Sequence, residues 1–257
     1  MGFLTDLVDD VRRRLERRPL DESSLLARAI RLPPARPFEQ ALRDGPPPAM
    51  IAEYKRSSPS AGEIAMVDLA TQARAYEAGG AAAVSVLTEP TRFDGALSDV
   101  RAARLATALP VLRKDFLVHP VQVIESRAAS ADAVLLIAAA LTELELKGML
   151  AVAADLGLGA LVETHSADDL AKVIATEAPV VGVNARDLET LEVDVERALA
   201  LLPLVPADRV AVLESGISSR DDVERAMEAG ARGVLVGEAL MRSGDPAATI
   251  RSLRGAG

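Results

Sequence analysis

Eight short hydrophobic runs, each followed by an amphipathic helical segment, constrain the fold of this sequence more than any other feature. The runs begin near residue 50, and their nearly continuous hydrophobicity is typical of parallel strands covered on both faces. Helices are predicted between them, among others at Asp68–Ala78, Thr142–Leu156 and Ser218–Ala229. The predicted strands are Met50–Lys55, Ala82–Leu87, Val111–Lys114, Ala133–Ile137, Ala160–Glu163, Val180–Asn184, Val210–Glu214 and Gly233–Val236.

The strand-helix unit recurs as a weak internal repeat. The segments Glu77-Ala-Gly-Gly-Ala-Ala-Ala-Val-Ser-Val-Leu and Glu228-Ala-Gly-Ala-Arg-Gly-Val-Leu-Val share one order of helix end, turn and strand. Ser218 and Asp221 have the spacing of a capping box that would start one of the helices. Eight such units predict an α/β fold, a closed (βα)8 TIM barrel. An open doubly wound sheet is the alternative, and it fits less well because no Gly-x-Gly-x-x-Gly follows the first strand.

The first 48 residues follow a different pattern. Apolar residues recur there at helical spacing, which predicts one amphipathic helix, with further helices at Ser23–Arg31 and Phe38–Arg43. We interpret residues 1–48 as a helical extension packed across one end of a barrel formed by residues 49–257, in a single domain of residues 1–257. The apolar residues of the first helix are Leu4, Leu7, Val8, Val11 and Leu15.

Composition excludes several classes of function. The chain has no cysteine, which rules out disulfides, thiolate catalysis and cysteine-ligated zinc. Its two histidines and its carboxylates show none of the usual metal-binding spacings, so no metal is expected. A net charge of −9 argues against a nucleic-acid partner. No apolar run has the length of a membrane span, and the N-terminus lacks the pattern of a signal peptide, so cytoplasmic residence is expected.

Lysine is rare among the basic residues. Of the 29 lysines and arginines, only Lys55, Lys114, Lys147 and Lys172 are lysine. Lysine can be tuned as an acid or base, whereas arginine cannot lose its proton in a protein. Lys55 and Lys114 are the last residues of two predicted strands, and active sites of this fold lie at the C-terminal ends of the strands. Salt-bridged rim residues are the alternative interpretation of the full set, which is Glu53, Lys55, Thr88-Glu89, Lys114, Glu163, Asn184, Arg186 and Glu214.

Two glycine-containing loops predict a phosphate site. Leu213-Glu-Ser-Gly-Ile-Ser ends the seventh strand, and Val236-Gly-Glu-Ala-Leu-Met ends the eighth and begins a short helix. Glycine lets the backbone approach an oxyanion, and the N–H groups of a helix start point at it. Loops after strands 7 and 8 are the recurrent phosphate position of this fold, although a glycine after one strand is ordinary.

Three further features allow both a functional and a structural interpretation. The loop Lys55-Arg-Ser-Ser-Pro-Ser is either a wrap around a substrate or a simple turn. Phe93 and Phe116 fall in loops after strands, where they form an apolar pocket or anchor the loops. His119 and His165 are interpreted as surface or capping residues.

Several segments together resemble the indole-3-glycerol phosphate synthase family. They are Met50-Ile-Ala-Glu-Tyr-Lys-Arg-Ser-Ser-Pro-Ser, Leu112-Arg-Lys-Asp-Phe, Ala160-Leu-Val-Glu-Thr-His, Gly182-Val-Asn-Ala-Arg-Asp-Leu-Glu-Thr-Leu-Glu and Glu214-Ser-Gly-Ile. The resemblance implies a carbon-carbon lyase of tryptophan biosynthesis that needs no cofactor. It implies conversion of 1-(2-carboxyphenylamino)-1-deoxyribulose 5-phosphate to indole-3-glycerol phosphate, with release of CO2 and water. The sequence departs from the family pattern at Ala96 and Glu238, where members of the family commonly carry a residue with a hydroxyl group.

The resemblance also implies roles for individual residues. Lys114 would be the general acid of ring closure, with a pKa lowered toward neutrality by a cationic site, and Glu163 the acid or base of dehydration. Lys55, paired with Glu53, would hold anionic groups of the substrate. Asn184 and Glu214 complete the catalytic set. The implied substrate-binding residues are Ser58, Pro59, Phe93, Phe116, Arg186, Leu188 and Leu191, and the implied phosphate-binding residues are Ser215, Gly216, Gly237 and Glu238.

Two rival functions remain at the sequence level. Phosphoribosyl anthranilate isomerase is a related barrel enzyme, but it uses a catalytic cysteine that this chain lacks. A non-catalytic phosphosugar-binding barrel would be expected to lose the acid or the base, whereas Lys114 and Glu163 are both present. The expected partner is a small phosphorylated substrate, with no nucleic acid or membrane partner, and the expected state is a monomer or weak homodimer.

Overall fold

The computed structural model describes residues 2–60, 62–64 and 67–255, so both ends of the expected 1–257 domain lie outside the described residues. Eight parallel strands pair side by side, and the first strand pairs with both the second and the eighth. The predicted closed (βα)8 barrel is therefore confirmed. The strands are β1 (Ala49–Tyr54), β2 (Ala83–Leu87), β3 (Val111–Lys114), β4 (Ala133–Ile137), β5 (Gly159–Thr164), β6 (Val180–Asn184), β7 (Val210–Glu214) and β8 (Gly233–Val236).

Helices precede the barrel and follow its strands. A short two-stranded hairpin, Ser57–Ser58 with Gly62–Glu63, also follows β1, and two 3-10 turns lie at Ala138–Ala140 and Leu202–Leu204. The helices are α1 (Phe3–Arg17), α2 (Glu22–Ala29), α3 (Phe38–Asp44), α4 (Leu69–Ala78), α5 (Leu97–Ala106), α6 (Pro120–Ala128), α7 (Glu143–Asp155), α8 (Ala167–Ile174), α9 (Val195–Leu201), α10 (Arg220–Glu228), α11 (Glu238–Met241) and α12 (Pro246–Arg254).

Side-chain caps begin several helices, and one of them corrects a prediction. The capping box of α10 is formed by Ser219 and Asp222, so the predicted pair of Ser218 and Asp221 is wrong by one residue. The Asp222 carboxylate accepts hydrogen bonds from the backbone N–H groups of Ser218 and Ser219. Two consecutive serines followed by two consecutive aspartates allow either register, and the chain takes the one in which a single carboxylate satisfies both donors.

The barrel strands alternate between two hydrophobic clusters. In β1, Met50 and Ala52 pack toward the surrounding helices, whereas Ala49 and Ile51 pack inside the barrel. Because side chains of a strand alternate between faces, the next inward positions after Ile51 are those of Glu53 and Lys55. In each strand, the last side chain that faces inward therefore lies at the C-terminal end of the barrel.

The N-terminal extension packs against both ends of the barrel rather than one. Helix α1 lies at the C-terminal end, where the backbone N–H of Leu4 donates to the carbonyl of Leu188 at 3.0 Å. Helix α3 lies at the opposite end, where Phe38 is buried among the first residues of the strands. A Cβ at Gly159 would lie 2.8 Å from Cβ of Phe38, so the glycine that starts β5 makes room for this ring. The expectation of packing across a single end is therefore wrong.

Candidate active site

Five polar side chains from five different strands meet inside the C-terminal end of the barrel. Each is the last or nearly the last inward residue of its strand, and each is buried or nearly so among apolar residues below it. A polar side chain of this kind is costly to bury alone, and the contacts within the group offset part of that cost. Two carboxylate oxygens, Oε2 of Glu53 and Oε1 of Glu214, are buried without a hydrogen-bond partner. The members of the group are Glu53, Lys114, Glu163, Asn184 and Glu214.

Lys114 is the centre of this group. Its Nζ lies 2.9 Å from Oε2 of Glu163 and 3.0 Å from Oε2 of Glu214. Burial by itself would lower the pKa of Lys114, but the carboxylates of Glu163, Glu214 and Glu53 more than offset it and raise the pKa well above its usual value. The expectation of a pKa lowered by a cationic site is therefore wrong, since the nearest charged groups are anionic.

The two carboxylates that hold Lys114 differ in their preference for a proton. Burial would raise the pKa of Glu163, but Lys114 and His165 reverse this and lower it far below the usual value. Oε1 of Glu163 also accepts a hydrogen bond from the Asn184 amide at 3.0 Å. At Glu214, burial together with the charge of Glu163 outweighs the attraction of Lys114 and raises the pKa to about 8. At neutral pH, Glu163 is therefore charged, and Glu214 holds a proton more readily than Glu163 does.

Two glycines provide the space that the carboxylates occupy. A Cβ at Gly182 would lie 2.1 Å from Oε1 of Glu214, and a Cβ at Gly237 would lie 2.4 Å from Oε1 of Glu53. Glu53 is held by Lys55, whose Nζ is 2.9 Å from the same oxygen. Glycine is needed at both positions because any larger side chain would displace a carboxylate.

A cavity of about 480 Å³ opens above this polar group. Its volume is within the usual range of a small-molecule site. One wall is aromatic, since the rings of Phe93 and Phe116 stack with centroids 6.0 Å apart and Phe3 meets Phe93 edge-on at 6.5 Å. Every residue to which the family resemblance gives a role lines this cavity: Glu53, Lys55, Ser58, Pro59, Phe93, Lys114, Phe116, Glu163, Asn184, Arg186, Leu188, Leu191, Glu214, Ser215, Gly216, Gly237 and Glu238.

The loops after β7 and β8 form one side of the cavity. Ser215 and Gly216 both have left-handed backbone conformations, with φ of 65° and 74°. Successive N–H groups in such turns make concavities that suit anions. Glu238, at the start of α11, points its carboxylate to the Arg242 guanidinium at 3.0 Å. Arg242 also lines the cavity, and the sequence interpretation missed it although it stands one helical turn after Glu238.

Comparisons with known proteins agree with this architecture. Residues 4–253 match the family described as indole-3-glycerol phosphate synthase. The protein of that name from a Nocardioides species is 48% identical, with 99% of each chain covered. The one from Micrococcus luteus is 47% identical, over 100% of this chain and 98% of that protein. The chain belongs to the indole-3-glycerol phosphate synthase family.

Solved structures with low sequence identity show the same fold. The chain is similar to a 3-hexulose-6-phosphate synthase with a TM-score of 0.62 and 17% identity, over 81% of this chain and 99% of that one. It is also similar to a thiamine phosphate pyrophosphorylase from Pyrococcus furiosus, with a TM-score of 0.60 and 17% identity, over 86% of this chain and 97% of that one. At this identity the likeness establishes the barrel alone, so the assignment to the indole-3-glycerol phosphate synthase family depends on the sequence relatives.

Both histidines are placed by the structure, and one corrects a prediction. His119 begins α6, where its Nδ1 accepts from the backbone N–H of Val121, so the capping interpretation is confirmed. His165 is neither a surface nor a capping residue. It is buried, and its Nε2 lies 3.0 Å from Oε1 of Glu163. The signal in the sequence was its position two residues after Glu163, which puts both side chains on the same face of the chain.

The remaining charged candidates lie outside the cavity of this indole-3-glycerol phosphate synthase family member. Glu89 is fully buried and holds its own loop by accepting from the backbone N–H groups of Thr91 and Arg92. Lys147 pairs with Glu143 on the exposed face of α7, and Lys172 donates to two backbone carbonyls.

Across the described parts of the chain, no helix is long and apolar enough to cross a membrane. Over that same span, no group of three or more histidine, aspartate and glutamate side chains is arranged to hold a metal ion.

Proposed function

We propose that the cavity at the C-terminal end of the barrel carries out the reaction of the indole-3-glycerol phosphate synthase family with the residues described above. The chain has the activity of that family, on the strength of the family match and its full-length relatives. The substrate is 1-(2-carboxyphenylamino)-1-deoxyribulose 5-phosphate, which closes to an indole ring with loss of CO2 and water. The single observation that supports the residue assignment is Lys114 held between Glu163 and Glu214 under an aromatic wall.

Lys114 is the proton donor of ring closure in this proposal. Attack of the aromatic carbon on the substrate ketone turns the carbonyl oxygen into a developing alkoxide, which is more basic than an amine. A lysine with a raised pKa stays protonated until that oxygen forms, and it can then transfer its proton down the gradient of basicity. Its charge also stabilises the oxyanion before the transfer, in a site whose dipoles are already oriented.

Glu163 is the base of the later dehydration. Its lowered pKa leaves it ionised at neutral pH, and the Asn184 amide fixes the orientation of one of its oxygens. A carboxylate in this state can take a proton from the ring and, as the carboxylic acid, return it to the hydroxyl, which departs as water. Glu214, whose pKa is raised to about 8, accepts a proton more readily than Glu163, which limits the negative charge beside the substrate's own anions.

The other residues of the cavity bind and orient the substrate. Lys55, Arg186 and the turn at Ser215 and Gly216 provide cationic and N–H groups for the phosphate and carboxylate. The apolar wall holds the carboxyphenyl ring against the site of attack. It is built from Pro59, Phe93, Phe116, Leu188 and Leu191, while Ser58, Gly237 and Glu238 complete the lining.

The proposal also covers the cofactor requirement, the location and the oligomeric state of the enzyme. No cofactor takes part, because Lys114 and Glu163 supply the acid and the base that the steps require. We expect a cytoplasmic enzyme that works as a monomer or weak homodimer, without a nucleic-acid or membrane partner.

Replacement of Lys114 by methionine tests the acid assignment. General acid catalysis contributes about 10² to 10⁴ in rate, so Lys114→Met should reduce kcat at least a hundredfold while the substrate still binds. The assay is the growth of indole fluorescence from the carboxyphenylamino-deoxyribulose phosphate. Lys147→Met is the matched control, because Lys147 is exposed on α7, away from the cavity, and pairs with Glu143. Turnover of Lys114→Met within a few fold of the control would remove Lys114 from the mechanism.

A further inference from the structure

His165 is a buried titratable group that touches the proposed base of the reaction. It follows β5 and lies behind Glu163, with Nε2 at 3.0 Å from Oε1. This nitrogen is enclosed by protein, and its contact with the carboxylate becomes an ion pair when the imidazole is protonated. The same oxygen accepts from Asn184, and the other oxygen of Glu163 faces Lys114.

The charged groups that act most strongly on His165 are acidic, and the Lys114 ammonium lies on the far side of the Glu163 carboxylate. Glu163 lies on its own strand, Asp169 on α8, Glu214 on β7, and Asp187 in the loop after β6. Burial would lower the pKa of His165, but Glu163 first, and then Asp169 and Glu214, raise it above its usual value. Because these carboxylates hold the proton on His165, the imidazole keeps its charge to a higher pH than an ordinary histidine does.

We propose that His165 is a positioning residue that acts through Glu163: its imidazolium form adds a second cation to the carboxylate, and its neutral form leaves Glu163 a stronger base. The inference rests on the proposed role of Glu163 in dehydration. It concerns a side chain that does not line the cavity, so His165 touches Glu163 and not the substrate.

The sign of the effect follows from the geometry. At low pH, Glu163 is held between the Lys114 ammonium and the His165 imidazolium, and it has the least tendency to accept a proton. As the pH rises, His165 loses its charge, one of the two cations disappears, and Glu163 becomes more basic. The rate of the dehydration step should therefore increase with pH through an ionisation that belongs to His165.

The chain contains only two histidines, which makes a direct titration possible. We would follow both imidazoles by NMR as a function of pH in the wild type and in Glu163→Gln. The midpoint of His165 should fall by about one pH unit or more when the carboxylate is removed, since an opposite charge at this distance has an effect of that size. His119, which caps α6, should not move and serves as the internal control. An unchanged His165 midpoint in Glu163→Gln would overturn the proposal.

Kinetics give the second measurement. His165→Asn should lose the His165 ionisation from the pH profile of kcat with KM unchanged, while His119→Asn should keep the wild-type profile. A His165→Asn profile that matches the wild type would also overturn the proposal. The NMR titration does not depend on turnover, so the role of Glu163 in dehydration and the coupling of His165 to Glu163 are tested separately. If Glu163→Gln keeps wild-type turnover, the role of Glu163 is wrong, whereas a missing shift of the histidine refutes only the coupling.

Discussion

Replacement of Gly182 by alanine is the sharpest structural test of the Lys114 group. Gly182 faces inward from the middle of β6, and its added Cβ would lie 2.1 Å from Oε1 and 3.2 Å from Cδ of Glu214. Non-bonded heavy atoms prefer separations of about 3.5 Å, so the carboxylate must move by more than about 1 Å. The backbone of Gly182 is not left-handed, and alanine therefore introduces no strain of its own.

The size of the expected effect follows from that displacement. Oε2 of Glu214 now lies 3.0 Å from Nζ of Lys114, and a shift of this size breaks the contact. A misplacement of about 1 Å in an active site can cost about a hundredfold in rate, so kcat of Gly182→Ala should fall by about that factor. Overpacking in the barrel should cost about 1–3 kcal/mol of stability, which leaves the protein folded.

The assay compares two glycine-to-alanine variants. Turnover is measured by indole fluorescence, and the unfolding free energy by urea denaturation. Gly148→Ala is the matched control, since a Cβ there meets nothing within 4 Å and an alanine within α7 should stabilise the helix by about 0.5–1 kcal/mol. A folded Gly182→Ala enzyme with kcat within about twofold of the wild type would refute the idea that Glu214 must hold Lys114.

Three other changes have defined outcomes. Gly237→Ala places a Cβ 2.4 Å from Oε1 of Glu53 and 3.1 Å from Nζ of Lys55, so steady-state kinetics should show a raised KM. Phe38→Ala empties the closed end of the barrel and should cost about 3–5 kcal/mol in urea unfolding, with kcat of the folded enzyme unchanged. Glu214 has a pKa of about 8, raised from an ordinary value of 4.5. Between these two values the unfolded chain ionises while the folded protein keeps its proton, so the free energy of unfolding falls as the pH rises from one to the other. Urea denaturation at pH about 5 and at pH about 8 measures this loss. The unfolding free energy of Glu214→Gln should fall less between the two pH values than that of the wild type.

The barrel itself could be predicted because its signals are local. Strands such as Val111–Lys114 and Val180–Asn184 were predicted with their observed bounds, since strands covered on both faces appear as short apolar runs. Errors of one residue occurred where the local sequence is degenerate, as at Ser218 and Ser219 before α10. The position of α1 could not be predicted, because an amphipathic helix shows that one face is buried but not what buries it.

The charged surroundings of the site residues could not be predicted from local sequence patterns. The sequence predicted which side chains end the strands, but it placed Lys114 in a cationic site and His165 on the surface. The first was wrong because the carboxylates around Lys114 come from strands 49 and 100 residues away, as in its contacts with Glu163 and Glu214. The second was wrong although Glu163 is only two residues from His165, because burial of the imidazole depends on how the chain packs around the end of β5. Arg242 and Phe3 were missed for the same reason, since only the folded chain brings them to the cavity.

By itself, then, the sequence determined the closed barrel and the polar residues at its C-terminal end, because strand alternation and strand ends are properties of short segments. Only the tertiary structure decided that α1 and α3 cover opposite ends, that Gly182 makes room for Glu214, and that Lys114 is surrounded by carboxylates. The physical reason is that burial and charge act through space, and the distances between strands exist only once the barrel has closed.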